Sequence, residues 1–290
     1  MILVDYSQVS LSNILSFKDD LRRGDAKDIE NLVRHVTLST LKSYKKRYGD
    51  TYGELVICCD GRKYWRRDHF AHYKAMRKKH REESDLDWHM IFDTLSKVRA
   101  EIKENFPYKV MHFENTEADD IIAALVLLTQ TVGRHEENLI ISSDKDFKQL
   151  HLYNNVKQWS PIQKKMVISK HAEVRKQIVE HIVKGDTGDG IPNILSADDI
   201  FVNGGRQKPV TAKRLNEFFT DGIDACRTPE ERANWHRNQK LVDFNYIPEE
   251  IVDQIQKEYD ELKPNGDKMT IMNYLMENRC RNLLDELEDF

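Results

Sequence analysis

The chain has 290 residues, 39% hydrophobic and 32% charged, with a formal net charge of −4 and four cysteines. That length and apolar content suit one large domain or two unequal ones, enough for an enzyme. No positive head followed by an apolar stretch opens the chain, and no run approaches the roughly 20 apolar residues that span a bilayer. Cys58, Cys59, Cys226 and Cys280 lack metal-ligand spacing and framework density, so they are expected to be packing residues of a cytoplasmic protein.

In chain order, four apolar runs predict strands: ILVDY (2–6), ELVICCD (54–60), YKVMHF (108–113) and NLIISSD (138–144). Continuous rather than alternating hydrophobicity indicates strands covered on both faces. Between them, helical spacing joins Ile29, Leu32, Val33 and Val36, then Ile91, Leu95, Val98 and Ile102, then Ile121, Ile122 and Leu125. Strand and helix alternate, which predicts an α/β fold with a mostly parallel central sheet and flanking helices. Further on, VKQWSPIQKKMVIS reads as a two-stranded ribbon, Lys170 to Lys184 as a helix, and NGGRQKP (203–209) as a flexible loop. Lys213 and Arg214 open another helical run, and the rest is largely helical, broken at IPEE (247–250) and KPNGDK (263–268). The expected division is an α/β domain over 1–180 and a smaller helical domain over 181–290.

The ends of the strand runs carry acids. Asp5 stands near the end of the first and Asp60 ends the second. Glu117, Asp119 and Asp120 follow the third, and Asp144 and Asp146 the fourth. Locally, Thr116 as an N-cap with Asp119 three residues on explains acids at a helix start. In parallel α/β sheets, however, functional groups collect outside the carboxyl ends of the strands, and these seven acids then share one edge. Two carboxylates about 4 Å apart repel by about 4 kcal/mol at an effective dielectric of 20, so the cluster requires cations or protonation. Oxygen-only ligands select magnesium, calcium or manganese over zinc, and magnesium is the expected ion. Two such ions about 4 Å apart suit phosphodiester cleavage, one activating water and the other stabilising the departing oxygen.

The net charge hides an asymmetry. From Arg62 to Arg81 the chain reads RKYWRRDHFAHYKAMRKKHR, nine basic residues against one acid, with Tyr64, Trp65, Phe70 and Tyr73 interleaved. Basic groups release counterions from phosphates and rings stack on unpaired bases, so the mixture suits single-stranded nucleic acid better than a merely solvated helix. Asp186 and Asp189 lie among Gly185, Gly188 and Gly190 in KGDTGDGIPNI, a composition that by itself reads as a turn.

YWRRD, YK, REES, EADD, ISSDKDFKQLH, NVKQWSP, KGD with a further aspartate three residues on, and DFNYIP occur here in that order. The ordered set resembles the flap endonuclease and 5′ nuclease family, most closely its T-even-type phage members, from Asp5 to about Pro248 and more faintly beyond. The resemblance implies a PIN-like 5′ nuclease core and a magnesium-dependent 5′-to-3′ exonuclease and flap endonuclease with ribonuclease H activity, removing RNA primers and 5′ flaps in DNA replication. It implies two Mg2+ ions, with Mn2+ able to substitute. Asp5, Asp60, Glu117, Asp119 and Asp144 match the group around the first metal, with Asp120 a supporting acid, and Asp146, Asp186 and Asp189 match the second.

Residues 61–85 match a helical arch that passes a 5′ single strand. Lys74 and Arg77 match the pair that steers and polarises the scissile phosphate, joining Asp144 as catalytic residues. Arg66 matches a phosphate contact and Tyr73 a base-stacking position, while His69, His72 and His80 are read as solvated arch side chains. The 181–290 region is expected to hold a helix-hairpin-helix-like DNA-binding element. The stretch from Ile191 to Pro209 departs from that pattern by lacking G-I-G-x-K, although Lys213 fills its basic position. Implied partners are DNA with a 5′ flap or 5′ end, an RNA–DNA hybrid, a phage single-stranded DNA-binding protein and a polymerase clamp. A monomer in the host cytoplasm, away from membranes, is expected. A PIN-type single-strand ribonuclease is a rival reading, but its smaller fold leaves the arch and the region after residue 181 unexplained. A non-catalytic nucleic-acid-binding scaffold would have no reason to keep so costly an acid cluster.

Overall fold

A computed structural model describes residues 1–290 apart from the His80 side chain, so the expectation for that histidine lies outside the described residues. The strands are β1 (Ile2–Asp5), β2 (Leu55–Cys59), β3 (Lys109–His112), β4 (Asn138–Ile141), β5 (Val156–Ser160) and β6 (Lys165–Val167). They form one sheet in the order β3-β2-β1-β4-β5-β6. β1 to β5 pair in parallel and β6 returns antiparallel along β5. The four predicted strands and the ribbon are all present, and the ribbon extends the central sheet through β5.

The helices are α1 (Tyr6–Ile14), α2 (Lys18–Arg23), α3 (Ala26–Tyr52), α4 (Trp65–His69), α5 (Ala75–Glu82) and α6 (Trp88–Asn105), then α7 (Ala118–Leu128), α8 (His171–Lys184), α9 (Ala212–Asp221), α10 (Pro229–Val242), α11 (Glu249–Glu261) and α12 (Lys268–Glu277). Among the described residues no helix is long and apolar enough to cross a membrane.

Successive strand residues point to opposite faces, and the core divides accordingly. Ile2, Val4, Ile57, Cys59, Leu139 and Ile141 face the layer built from α1, α3, α6 and α12, whereas Leu3, Val56, Cys58 and Ile140 face α7 and α11. The neighbouring cysteines are therefore packed into different layers, and all four cysteines are free thiols. α7 is buried nearly all round, with Ile121 to Val126 fully enclosed. At about 1.5–3 kcal/mol per enclosed large aliphatic side chain, this fixes the helix and its acidic N-terminus firmly. A third cluster joins Phe70 and Tyr73 at the arch base to Ile182, Ile191, Phe218 and Trp235.

The chain after Val242 returns to the sheet: Phe244, Ile255 and Tyr259 pack with α7, and Ile271, Tyr274 and Leu275 pack on the opposite face. The expected helix-hairpin-helix-like element takes a different form. α8 and α9 pack together, but residues 185–211 separate them, whereas a compact helix-turn-helix uses about three or four. Asn193 ties this connection together: its side-chain amide donates to the Lys208 carbonyl at 2.7 Å, and its backbone N–H donates to Gln207 at 2.6 Å.

Candidate metal centre and arch

The parallel register places the carboxyl ends of β1, β2 and β4 side by side. Asp5 ends β1 and also caps α1, accepting from the Gln8 N–H at 3.1 Å and from the Ser142 hydroxyl at 2.9 Å. The predicted strand 2–6 thus stops at Asp5, because its side chain starts a helix at Tyr6. Asp60, just past β2, accepts from the Ala118 N–H at 3.0 Å, where a carboxylate complements the α7 dipole. Asp144 accepts from the Asp146 N–H at 2.9 Å, and its own N–H donates to Ser142.

Charge explains what this first group requires. Burial, and then Asp60, push the Asp5 carboxyl up to about 7. Burial, followed by Asp144 and Asp5, lifts Asp119 well above the usual carboxylate range. These acids sense one another and have oxygen donors only, which fits a hard divalent cation.

Glu117 behaves differently. It rather than Thr116 is the N-cap of α7, and despite burial the neighbouring Lys74 and Arg66 hold its pKa below the ordinary value. Arg66 donates to it at 2.7 Å, Lys74 forms a tight ion pair with it, and the Tyr73 hydroxyl lies 3.1 Å away.

Three expected roles need correction. Asp120 is fully buried and accepts from the Trp65 indole, the Arg66 guanidinium and the Glu117 N–H, each at 3.0 Å; with its oxygens committed inward it braces α7 instead of supporting a metal. Arg66, 3% exposed, also donates to the Leu241 carbonyl at 2.9 Å, so it is an internal counterion rather than a phosphate contact. Tyr73, also 3% exposed, belongs to the third core cluster, which removes its ring from base stacking.

Lys74 and Arg77 both pair with acids at the arch base. Lys74 adopts left-handed backbone (φ 56), with its N–H donating to the Asp189 carbonyl at 2.7 Å. Such a conformation costs a non-glycine residue about 1–2 kcal/mol, and here that bond and the buried ion pair hold it. Arg77 reaches the Asp189 carboxylate at 2.5 Å. Asp186 and Asp189 sit in a turn and line one small cavity with Asp119 and Asp146; the Asp186 carboxylate accepts from the Gly188 and Asp189 N–H groups at 2.8 and 3.2 Å. Gly185 has φ +66, and a Cβ there would lie 2.3 Å from the Ile191 carbonyl oxygen, so the turn requires glycine. Lys213 is exposed in the first turn of α9, and His69 is exposed.

Two residues beside the second group went unread in the sequence. Lys145 donates to Asp186 at 2.7 Å, and His181 lies between Asp146 and Asp186, at 3.4 and 3.2 Å. Against the cost of burial, their hydrogen bonds hold Asp186 well below the usual carboxylate range. Burial raises Asp146 to about 7; His181 opposes this and Asp144 adds to it.

Comparison with known proteins bears on this geometry. Residues 2–179 match the profile of the 5′-3′ exonuclease N-terminal resolvase-like domain, and residues 171–290 match that of the T4 RNase H C-terminal domain. The chain is 36% identical over 298 residues to the ribonuclease H of Enterobacteria phage T4, covering 99% of this chain and 95% of the relative. It is 29% identical over 136 residues to the flap endonuclease Xni of Shewanella pealeana, 45% of this chain and 48% of that protein. Among solved structures, a phage T5 protein co-crystallised with metal ions superposes with a TM-score of 0.63 at 19% identity, covering 90% of this chain and 98% of that one. The T5 flap endonuclease in a pseudo-enzyme–product complex with DNA and metal ions gives 0.61 at 21% identity, covering 90% and 97%. These structural likenesses establish the shared fold.

Proposed function

The chain belongs to the 5′-3′ exonuclease family, and on that premise we propose that it is a magnesium-dependent 5′-to-3′ exonuclease and flap endonuclease with ribonuclease H activity. It removes RNA primers and 5′ flaps during replication by two-metal hydrolysis, leaving a 5′ phosphate. The observation that carries this reading is the convergence of Asp5, Asp60, Asp119 and Asp144 on one sheet edge, facing an arch base that presents Lys74 and Arg77.

Asp5, Asp60, Glu117, Asp119 and Asp144 would hold one divalent ion and Asp146, Asp186 and Asp189 the second; such ions neutralise a phosphodiester and make water nucleophilic. The remaining work falls to the chain. Exposed Arg77, Lys78, Lys79 and Arg81 on α5 draw in the strand through its phosphates. Lys74 and Arg77, held at the cleft by acids, exchange those partners for the oxygens of the scissile phosphate. Donors fixed where charge develops contribute several kcal/mol to the transition state. Lys213 serves the duplex beyond the cut. The same reading implies a monomer with a helical second unit after residue 180, a phage single-stranded DNA-binding protein and a polymerase clamp as partners, and Mn2+ as a substitute ion.

Incubation with an end-labelled 5′-flap duplex and an RNA–DNA hybrid, with and without magnesium, tests the proposal. Cleavage of both substrates only with the metal supports it. Cutting confined to single-stranded RNA favours the PIN-type ribonuclease reading, and binding without cutting leaves a scaffold.

A further inference from the structure

We propose that His181 is a nitrogen ligand of the second cation position and makes that position select a first-row transition ion such as Mn2+ or Co2+ over magnesium. The inference rests on the metal-dependent reading above and adds a residue to it. The last turn of α8 brings the imidazole between two aspartates, Nδ1 3.4 Å from Asp146 and Nε2 3.2 Å from Asp186. One ligand atom each from Asp146, His181 and Asp186 lie within 4.8 Å of one another, the single such trio of His, Cys, Asp or Glu among the described residues.

A second observation comes from the space beside them. A cavity of about 10 Å³ has Asp119, Asp146, His181 and Asp186 along one side, with Arg66 and an apolar wall that includes Leu241 closing the other, about the room one water-sized occupant needs. The His181 side chain is 13% exposed and an aspartate faces each ring nitrogen; an ion that takes one nitrogen leaves the other N–H donating to its aspartate, which fixes the ring plane of a ligating imidazole. Lys145, which also meets Asp186, is 64% exposed on a flexible stem and can swing into solvent when a cation arrives.

Chemistry then separates the two positions. The first group offers carboxylate oxygens alone, which suits magnesium, whereas a nitrogen donor adds more affinity for a first-row transition ion, least for Mn2+ and more for Co2+, than for magnesium, which takes oxygen ligands. One cleft thereby holds two positions of different metal preference.

The test titrates Mn2+ into the full-length protein and the variants His181→Gln and His181→Asp, with magnesium as competitor, and reads the bound ion by electron paramagnetic resonance. The parent protein should show nitrogen hyperfine coupling on one Mn2+, and both variants should lose it. In His181→Gln the preference of that position for Mn2+ over Mg2+ should fall several-fold, because the nitrogen donor is gone. His181→Asp should keep a bound cation while turning its preference toward magnesium. Coupling that persists in His181→Gln, or an unchanged Mn2+ to Mg2+ preference in both variants, overturns the proposal. Magnesium-dependent flap cleavage alongside histidine-indifferent Mn2+ binding defeats this inference alone. Absence of both cleavage and metal binding defeats the nuclease reading with it.

Discussion

The two acid groups share one edge of the sheet yet balance charge differently. Asp5 and Asp119 meet burial and other carboxylates, and their pKa values rise. Asp186 meets His181 and Lys145, and Asp189 meets Arg77. Asp146 stands between the two regimes, pushed up by burial and Asp144 and pulled down by His181. Glu117, placed with the first group by its position in the chain, belongs electrically with the compensated side through Lys74 and Arg66. In the metal-free protein the first group is thus left with uncompensated carboxyls, while the fold offsets much of the second with its own side chains.

The largest effect that sharpens this contrast is expected at Asp144. Asp144→Asn should lower flap cleavage by roughly three orders of magnitude or more while duplex binding stays within a few-fold; undiminished turnover would remove Asp144 from the metal site. Lys74→Ala should reduce kcat by about two orders of magnitude, about 3 kcal/mol of barrier. A rise in KM alone would show that Lys74 merely bridges Glu117 and Asp189.

Stability against pH probes the uncompensated acids directly. Asp5 and Asp146 are raised from 3.8 to about 7, so between these values the folded protein holds protons the unfolded chain has released. Metal-free stability therefore falls as pH rises through that window and stays lower above it. Melting curves should show this loss between about pH 4 and pH 7, and magnesium should raise Tm more at pH 8 than at pH 5. Equal shifts at both pH values would break the contrast. The smallest effect is expected at Lys213, far from either group's charge balance: Lys213→Ala should weaken duplex binding a few-fold and reduce the salt slope by about one. An unchanged slope would take Lys213 out of the interface.

The sheet was legible because parallel strands buried on both faces leave continuous apolar runs, and the acids were legible because they follow those runs directly. The arch was harder to read. Its cations and rings have the composition of a nucleic-acid surface, but Arg66 and Tyr73 are spent on Glu117, which lies 51 and 44 positions further along the chain. A basic run does not declare whether its counterions are phosphates or the protein's own carboxylates. His181 carried still less signal: a single histidine on an amphipathic helix acquires meaning only when the helix end delivers it between two aspartates from separate segments. The connection from residue 185 to 211 was equally opaque, since its closure depends on side-chain bonds from Asn193.

The adjoining thiols of Cys58 and Cys59 point into different layers, and burial raises the pKa of both. Neither thiol reacts while its layer stays closed. Pulsed alkylation read by mass spectrometry on one peptide then becomes a pair of clocks a single residue apart. One runs when α7 and α11 lift from the sheet, and the other when α3 and α6 do, so the order in which the protein comes apart is recorded in the labelling ratio of neighbouring atoms.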